Sequence, residues 1–272
     1  NKYNFIALYP ESVNFYDGDT LVNTFNDIIR QTTNEEISSI CLSDSERYVY
    51  PKYPNCDRGR CGWAPCSDDA SFVKHLIDNF KGSYKIRNVY MIGNSSGGTF
   101  VNSYVCKYPE SITSAISING MSRLGFGCTP NQPVNFITYA SLKDTSVPPI
   151  GGISADGLFY ETQESLIKTW VDKFECKEKA SKTYKHFETF NENLFSECLG
   201  GIKIVSILNL DSDHMWPEAG YDKVTGLSSY TNYGTCVTDI QDEFKIPKCY
   251  RTNDRWGSEF ILKKLFEFDN VN

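Results

Sequence analysis

The chain has 272 residues, a formal net charge of −7 at pH 7, 40% apolar residues and 22% charged residues. This length suits one large domain with a sizeable core, and the composition is typical of a globular protein. The negative charge and the lack of a basic run argue against a nucleic-acid partner. No apolar stretch approaches the ~20 residues of a membrane span, so we expect no membrane partner.

Ten cysteines are spread along the chain in polar, loop-like contexts. An even number in such contexts is typical of disulfide-bonded proteins, so we predict a secreted, extracellular protein. The chain starts at Asn1 without a signal peptide, and we therefore expect a mature or trimmed form. Connectivity is not readable from sequence, although Cys176 with Cys198 and Cys236 with Cys249 are plausible local pairs.

The cysteines do not indicate a metal site. Cys56, Cys61 and Cys66 lack the closely spaced pairs of a zinc ribbon, and the chain has only three histidines. We therefore predict that this protein binds no metal.

The first quarter of the chain shows two predicted elements and one long polar segment. Residues 4–9 form an apolar run that Pro10 ends, which indicates a buried strand. Residues 21–31 carry apolar side chains at helical spacing. Residues 32–67 are polar and Cys-rich without clear periodicity, and we interpret them as an insertion pinned by disulfides.

The remaining elements alternate between helices and apolar strands. Helices are predicted at 68–80 (with Ser67 or Asp68 as N-cap), 100–107, 157–174 and 254–268, and strands at 89–92, 112–119, 133–140 and 202–208. Near-continuous apolar strands separated by helices indicate a mostly parallel sheet flanked by helices. We expect a single domain over residues 1–272.

The strand at 89–92 leads into a sharp turn and then a helix. Gly93, Ser95 and Gly97 fit the Gly-x-Ser-x-Gly nucleophile elbow, which exposes a serine hydroxyl at the top of a sheet. Glycines are needed there because the strand and helix backbones approach closely, and Gly98 extends the small-residue run. A plain Gly-rich turn is the alternative for this motif alone.

Two further residues follow predicted strands in the order that a serine hydrolase requires. Asp144 is the only carboxylate in the turn after the strand at 133–140, and His214 follows the strand at 202–208. Serine, acid and histidine in this order form the α/β-hydrolase arrangement. Ser95 would be the nucleophile, His214 the general base and acid, and Asp144 the group that orients His214. The backbone N–H of Ser96 would donate to the oxyanion, and no cofactor is required.

Other residues compete for these roles. Asp144 could be an ordinary turn residue, and His214 could be a structural histidine. Asp211 and Asp213 are alternative acids, but they lie too near His214 in the chain for the usual geometry between two loops. His75 and His186 lie in polar surroundings that favour solvated side chains.

Two tryptophans are candidates for substrate binding. Trp63 and Trp216 could line a cleft, with core packing as the equal alternative. The sequence 94–96 (NSS) is formally a glycosylation sequon, which we expect to be unmodified if Ser95 is the nucleophile.

These motifs together resemble one branch of the α/β-hydrolases, the feruloyl esterases and polyhydroxybutyrate depolymerase-like proteins, which also contains acetylxylan esterases. The similar pieces are 5–10 (FIALYP), 61–63 (CGW) with 68–69 (DD), 89–98 (VYMIGNSSGG), 144–148 (DTSVP) with 151–152 (GG), 169–170 (TW) with Cys176, and 214–217 (HMWP). Their order and approximate spacing hold over about two hundred residues.

The resemblance implies a secreted serine carboxylesterase with Ser95, Asp144 and His214 as its triad. It implies feruloyl esters of plant cell-wall polysaccharide as substrate, with acetylated xylan or polyhydroxyalkanoate as alternatives. A non-catalytic carbohydrate-binding or interaction protein on the same scaffold is the hypothesis from another class.

The chain departs from this family in two places. The family's strand that ends in His-Gly, whose loop supplies the second oxyanion donor, has no counterpart before residue 1, so we expect the fold to lack its N-terminal strands here. That strand would lie beside the elbow strand in the middle of the sheet. Either the chain is a fragment or processed form, or another segment fills the gap through circular permutation. The segment 21–60 is also longer and richer in cysteine than the family implies.

Overall fold

The computed structural model describes residues 5–12, 14–17, 20–27, 67–124, 126–155, 158–185, 189–217 and 256–270. Trp63, His186, the pair Cys236 and Cys249 and all of the predicted Cys-rich insertion except Ser67 lie outside the described residues. The predictions made for them therefore stay predictions.

Ten strands and four α-helices occur in the described part of the chain. The strands are β1 (Asn14–Asp17), β2 (Thr20–Asn23), β3 (Tyr90–Asn94), β4 (Ser114–Ile118), β5 (Asn135–Ser141), β6 (Gly152–Ile153), β7 (Phe159–Tyr160), β8 (Glu178–Lys185), β9 (Thr189–Ser196) and β10 (Ile204–Asn209). The helices are α1 (Asp69–Ser83), α2 (Ser96–Lys107), α3 (Gln163–Lys173) and α4 (Trp256–Phe266), and short 3-10 turns span Pro109–Ser111, Leu199–Gly201 and Glu267–Asn270.

The main sheet has six strands in the order β3-β4-β5-β10-β9-β8. The first four are parallel, while β9 is antiparallel to both β10 and β8. Two small antiparallel hairpins, β1 with β2 and β6 with β7, stand apart from it. The mostly parallel sheet is therefore as predicted.

Helices cover both faces of this sheet. Phe136 of β5 stacks on Trp170 of α3 with 4.1 Å between ring centroids, in a cluster that α1 and α2 also join. The next residue, Ile137, lies in a second cluster with Ile261 and Leu265 of α4. Because successive strand residues point to opposite faces, burial on both sides explains why β5 reads as a continuous apolar run.

Most of the predicted helices and strands are confirmed. Helix α1 begins after Asp68, whose carboxylate accepts from the backbone N–H of Ser71 at 3.1 Å, and it buries Ala70, Val73 and Ile77. That is the helical spacing seen in the sequence. Strands β3, β4, β5 and β10 and helices α2 and α4 lie where the apolar runs predicted them.

Three predictions are wrong. Residues 5–9 form no strand, and the side chain of Tyr9 is 91% exposed, because no neighbouring strand pairs with them among the described residues. Residues 20–23 form β2 instead of a helix, since the Asp-Gly dipeptide at 17–18 favours a hairpin turn. The helix predicted from 157 begins only at Gln163, where Thr162 accepts from the backbone N–H of Ser165 at 2.9 Å as its N-cap.

The hairpin of β8 and β9 was not predicted from the sequence. Strand β8 is at the sheet edge, and its side chains are exposed except for Tyr184, which is half-buried. A polar edge strand has no apolar period to mark it, and its lysines oppose pairing with another chain.

Two disulfides join described residues. The bond between Cys176 and Cys198 confirms one predicted pair, and the bond between Cys106 and Cys128 is a pair that spacing did not suggest. None of the helices in the described part of the chain is long and apolar enough to cross a membrane.

Candidate active site

Ser95 lies on the sharp turn between the end of β3 and the start of α2. Its backbone φ is +56°, a left-handed value that non-glycine residues rarely adopt. The backbone N–H of Ser95 donates to the carbonyl of Ile118 at 2.9 Å, which fixes the turn to the end of β4. The turn therefore has the strain and the position that a nucleophile elbow requires.

The glycines around Ser95 allow the strand and helix to approach. A Cβ on Gly93 would lie 2.0 Å from the carbonyl oxygen of Gly97, and a Cβ on Gly120 would lie 2.4 Å from the carbonyl carbon of Gly98. Gly97 has open space at the same position. Of the two motif glycines, Gly93 is the one whose missing side chain the backbone packing needs.

The three predicted catalytic side chains form one hydrogen-bonded line. The Oγ of Ser95 lies 2.7 Å from Nε2 of His214, and Nδ1 of His214 lies 2.6 Å from Oδ2 of Asp144. With Asp144 ionised, Nδ1 carries the proton and donates to it, so Nε2 accepts from the serine hydroxyl. A serine activated by a correctly oriented base is the requirement for nucleophilic attack.

The carboxylate of Asp144 is held by its own loop. Its side chain is fully buried, and its Oδ1 accepts from the backbone N–H groups of Ser146 and Val147 at 2.8 Å each. Oδ2 is thereby left for His214. An acid that accepts two backbone bonds on one oxygen holds the other oxygen in a fixed direction.

The loops that carry the acid and the histidine are tied to each other. The N–H of Lys143 donates to the carbonyl of Ser212 at 3.2 Å, and the N–H of Leu142 donates to the carbonyl of Asn209 at 2.7 Å. The side-chain oxygen of Asn209 also accepts from the backbone N–H groups of Asp211 and Ser212. These bonds set the distance between Asp144 and His214.

The structure places the competing residues elsewhere. Asp211 accepts from the backbone N–H of Thr189 at 2.7 Å, and Asp213 is exposed. His75 lies on α1 with Nδ1 2.7 Å from the carbonyl of Ser71. Asp144 is the carboxylate that contacts His214.

The remaining predicted site residues have different positions. Ser96 is the first residue of α2, so its N–H has no acceptor within the helix and is available to an anion. Trp216 follows the histidine loop, which is the segment 210–215 after β10. It packs against the apolar cluster that contains Ile261 and Leu265 of α4, and its Nε1 donates to Oγ of Ser258 at 3.2 Å. A role for Trp216 in substrate binding stays a prediction.

Asn119 was missed by the sequence reasoning. It is fully buried, has a φ of +45°, and donates from Nδ2 to the carbonyl of Met215 at 2.6 Å. The Asn-Gly dipeptide at 119–120, which overlaps the end of the predicted strand 112–119, was the available signal, because such dipeptides mark tight turns. Among the described residues, no group of three or more His, Cys, Asp or Glu side chains could hold a metal ion.

One family model agrees with this architecture. A family model described as alpha/beta hydrolase fold matches residues 42–143, which include the elbow and end just before Asp144. The chain has an α/β-hydrolase fold. A solved structure titled "Crystal Structure of a Thermostable Esterase" is 20% identical with a TM-score of 0.32, over 40% of this chain and 26% of that one. The chain thus spans about a quarter of that structure's length. No curated protein matches the chain.

Within this α/β-hydrolase fold, β3 lies at one edge of the sheet as far as the described residues extend. Its ladder partner there is β4, and the side chain of Ile92 is 40% exposed. This is the side on which the resemblance implies a further strand.

Proposed function

We propose that this chain is a serine carboxylesterase that works through an acyl-enzyme. The observation that carries the proposal is the contact of Ser95, His214 and Asp144 in one hydrogen-bonded line on a strained elbow. The same geometry recurs on unrelated folds whose serine attacks a carbonyl carbon.

Acylation would proceed from the resting arrangement. The Oγ of Ser95 attacks the ester carbonyl carbon while Nε2 of His214 takes the hydroxyl proton. Asp144 stabilises the imidazolium through Nδ1–H. As the tetrahedral intermediate collapses, the bond from carbon to the alcohol oxygen breaks, and His214 gives its proton to the leaving alcohol.

Deacylation would repeat these steps with water. His214 takes a proton from water as the water oxygen attacks the acyl carbon, and the bond to Ser95 Oγ then breaks. The proton returns to Ser95, and a carboxylic acid leaves. In both halves the oxyanion forms near the start of α2, where the N–H of Ser96 would donate; each such donor contributes about 3–4 kcal/mol.

The substrate class is proposed from the resemblance of the sequence motifs. We propose feruloyl esters of plant cell-wall polysaccharide, with acetylated xylan and polyhydroxyalkanoate as the alternatives.

Secretion is supported by the two disulfides, since such bonds persist in oxidising compartments. We further propose that residues 1–272 form a single catalytic domain with a Cys-rich insertion around 32–67. In this proposal the segment 21–60 shapes the substrate cleft, and Trp63 and Trp216 line it.

An ester panel tests this proposal. Methyl ferulate, p-nitrophenyl acetate and a polyhydroxybutyrate film are each incubated with the wild-type protein, Ser95→Ala and the control Ser83→Ala, which changes an exposed serine on α1. We expect turnover by the wild type and the control, with a loss of at least about 10⁴-fold in Ser95→Ala. The preferred ester identifies the substrate class.

Two results would contradict the proposal. Equal rates for the wild type and Ser95→Ala would show that the hydrolysis does not use this serine. Binding to arabinoxylan without turnover of any ester would favour the non-catalytic carbohydrate-binding protein.

A further inference from the structure

Asn119 contacts β5 and the loop that carries His214, and the residue before it contacts Ser95, although Asn119 is none of the predicted catalytic groups. It follows β4 directly and is fully buried. Its backbone N–H donates to the carbonyl of Tyr139 in β5 at 2.7 Å, and its side-chain Nδ2 donates to the carbonyl of Met215 at 2.6 Å. Ile118, the residue before it, accepts from the N–H of Ser95.

We infer that Asn119 is a positioning residue that holds His214 against Ser95, an inference that rests on the proposed function. His214 follows β10, whereas Ser95 follows β3, and β5 and β4 lie between those strands. At the usual spacing of adjacent strands, the histidine loop must span about 14 Å to reach the serine. The Asn119 amide binds this loop one residue after His214, at the end of the strand next to β3.

The histidine loop must be fixed near the elbow as well as near Asp144. The bonds from Lys143 to Ser212 and from Asn209 to the loop backbone lie on the side of the acid. They fix His214 relative to Asp144 but make no contact with the elbow. The bond from Asn119 to Met215 joins the loop to β4, which the N–H of Ser95 also contacts through Ile118.

Asparagine suits this position for two physical reasons. It adopts left-handed backbone conformations more readily than most residues, and it carries a short side-chain donor. The other amide atom, Oδ1, is buried and has no hydrogen-bond partner among the described residues. A strained backbone and an unsatisfied buried oxygen are unfavourable for stability, so their presence beside the triad points to a role in function.

The test compares the same substitution at two buried asparagines. Asn119→Asp keeps the shape of the side chain and loses the donor to Met215. Asn102→Asp is the matched control, because Nδ2 of Asn102 also donates to a buried carbonyl, that of Gly120, at 2.6 Å, and its Oδ1 is also unpartnered among the described residues. Asn119→Gly is the second test variant, since glycine permits the left-handed backbone.

The expected result is a lower kcat with an unchanged KM. With p-nitrophenyl acetate, kcat should fall about 10- to 100-fold in both Asn119 variants, because displacement by ~1 Å of a catalytic group has effects of this size. KM should stay near the wild-type value, and Asn102→Asp should keep the wild-type kcat. The low-field proton resonance of the bond between His214 and Asp144 should be broadened or lost only in the Asn119 variants.

Each other result overturns the inference or its premise. If the folded Asn119 variants match Asn102→Asp in kcat and in the proton spectrum, Asn119 does not position His214. If both Asn119 variants fail to fold while Asn102→Asp folds, the role of Asn119 is stability. If the wild type shows no turnover that depends on Ser95, the proposed function fails. The proton spectra of the wild type and the Asn119 variants then decide by themselves whether Asn119 holds the histidine loop.

Discussion

Two non-glycine residues of the site have left-handed backbone conformations. Ser95 and Asn119 both have positive φ values, and the peptide groups beside them are joined by the bond from Ser95 N–H to Ile118. Non-glycine residues persist in such conformations only where their surroundings hold them. Here the surroundings are the buried ends of β3 and β4, so the strained positions coincide with the candidate site.

The identity of the catalytic acid can be tested at the residue scale. Asp144→Asn should lower kcat about 10⁴-fold, because an amide no longer selects the histidine tautomer that accepts from Ser95. Asp213→Asn should keep the wild-type rate, since Asp213 is exposed and lies two residues from Met215 on the outside of the loop. Steady-state kinetics on one soluble ester checks both, and the reverse order of effects would assign the acid to Asp213.

The two motif glycines should respond differently to alanine. Gly93→Ala should lower the free energy of unfolding by about 3 kcal/mol or more, because its Cβ meets the backbone of Gly97 at 2.0 Å. Gly97→Ala meets open space and should change that free energy by less than about 1 kcal/mol. Urea unfolding followed by circular dichroism measures both, and equal effects would contradict the proposed packing of the elbow.

At the scale of elements, α4 is attached to the sheet by an ion pair as well as by apolar packing. Nζ of Lys264 lies 2.8 Å from Oε2 of Glu192, and both side chains are close to fully buried. Burial alone would lower the pKa of Lys264, but the pairing with Glu192, together with the charge of Glu267 and the nearby Tyr184, outweighs it and raises that pKa. The pair joins the C-terminal helix to β9 in the hairpin that the sequence did not predict.

The pH dependence of stability follows from this pair. Because folding raises the pKa of Lys264 above its ordinary value of 10.5, its contribution is complete below pH 10.5 and is lost as the pH rises through the folded pKa. Lys264→Met should therefore lower the free energy of unfolding by about 3 kcal/mol at pH 8 and by less above pH 10.5. The control Lys263→Met, at an exposed pair, should stay within about 0.5 kcal/mol.

Denaturant titrations of the two lysine variants and the wild type at both pH values check this prediction. A difference between wild type and Lys264→Met that is unchanged or larger at alkaline pH would contradict the ion pair as its source.

At the scale of the whole molecule, disulfides join segments that the sheet alone does not connect. Cys106 on α2 is bonded to Cys128 in the loop after β4, and Cys176 after α3 is bonded to Cys198 after β9. Both bonds close loops with a sequence separation of 22. Such bonds stabilise a fold mainly by restricting its unfolded chain.

Because the two disulfides close loops of equal length, their removal should lower the free energy of unfolding by similar amounts. Replacing Cys106 and Cys128 together by serine should lower the free energy of unfolding by about 3 kcal/mol, and the double replacement of Cys176 and Cys198 should have a similar effect. Urea unfolding of the oxidised variants measures these losses. An unchanged stability in either double variant would show that its bond does not constrain the native protein, and reactive thiols in the denatured wild type would contradict an oxidising compartment.

The sequence by itself determined the part of the fold that depends on local pattern. Helical spacing placed α1, because burial of one helix face leaves a helical period, and apolar runs placed β4, β5 and β10, because burial of both strand faces leaves a continuous apolar run. The elbow motif and the chain order placed Ser95, Asp144 and His214 each after a different strand, and the structure brings these three side chains together. Parallel strands present their carboxyl ends at one edge of a sheet, so that meeting was foreseeable from topology.

Tertiary structure alone decided the elements whose stability depends on distant partners. Residues 5–9 are apolar and yet exposed, while the polar strand β8 is held by its ladder to β9, which in turn pairs with β10. The bond from Cys106 to Cys128 and the contact of Asn119 with Met215 also join segments far apart in sequence. A strand, a disulfide or a buried amide is fixed by the atoms opposite it, and a linear pattern does not specify which atoms those are.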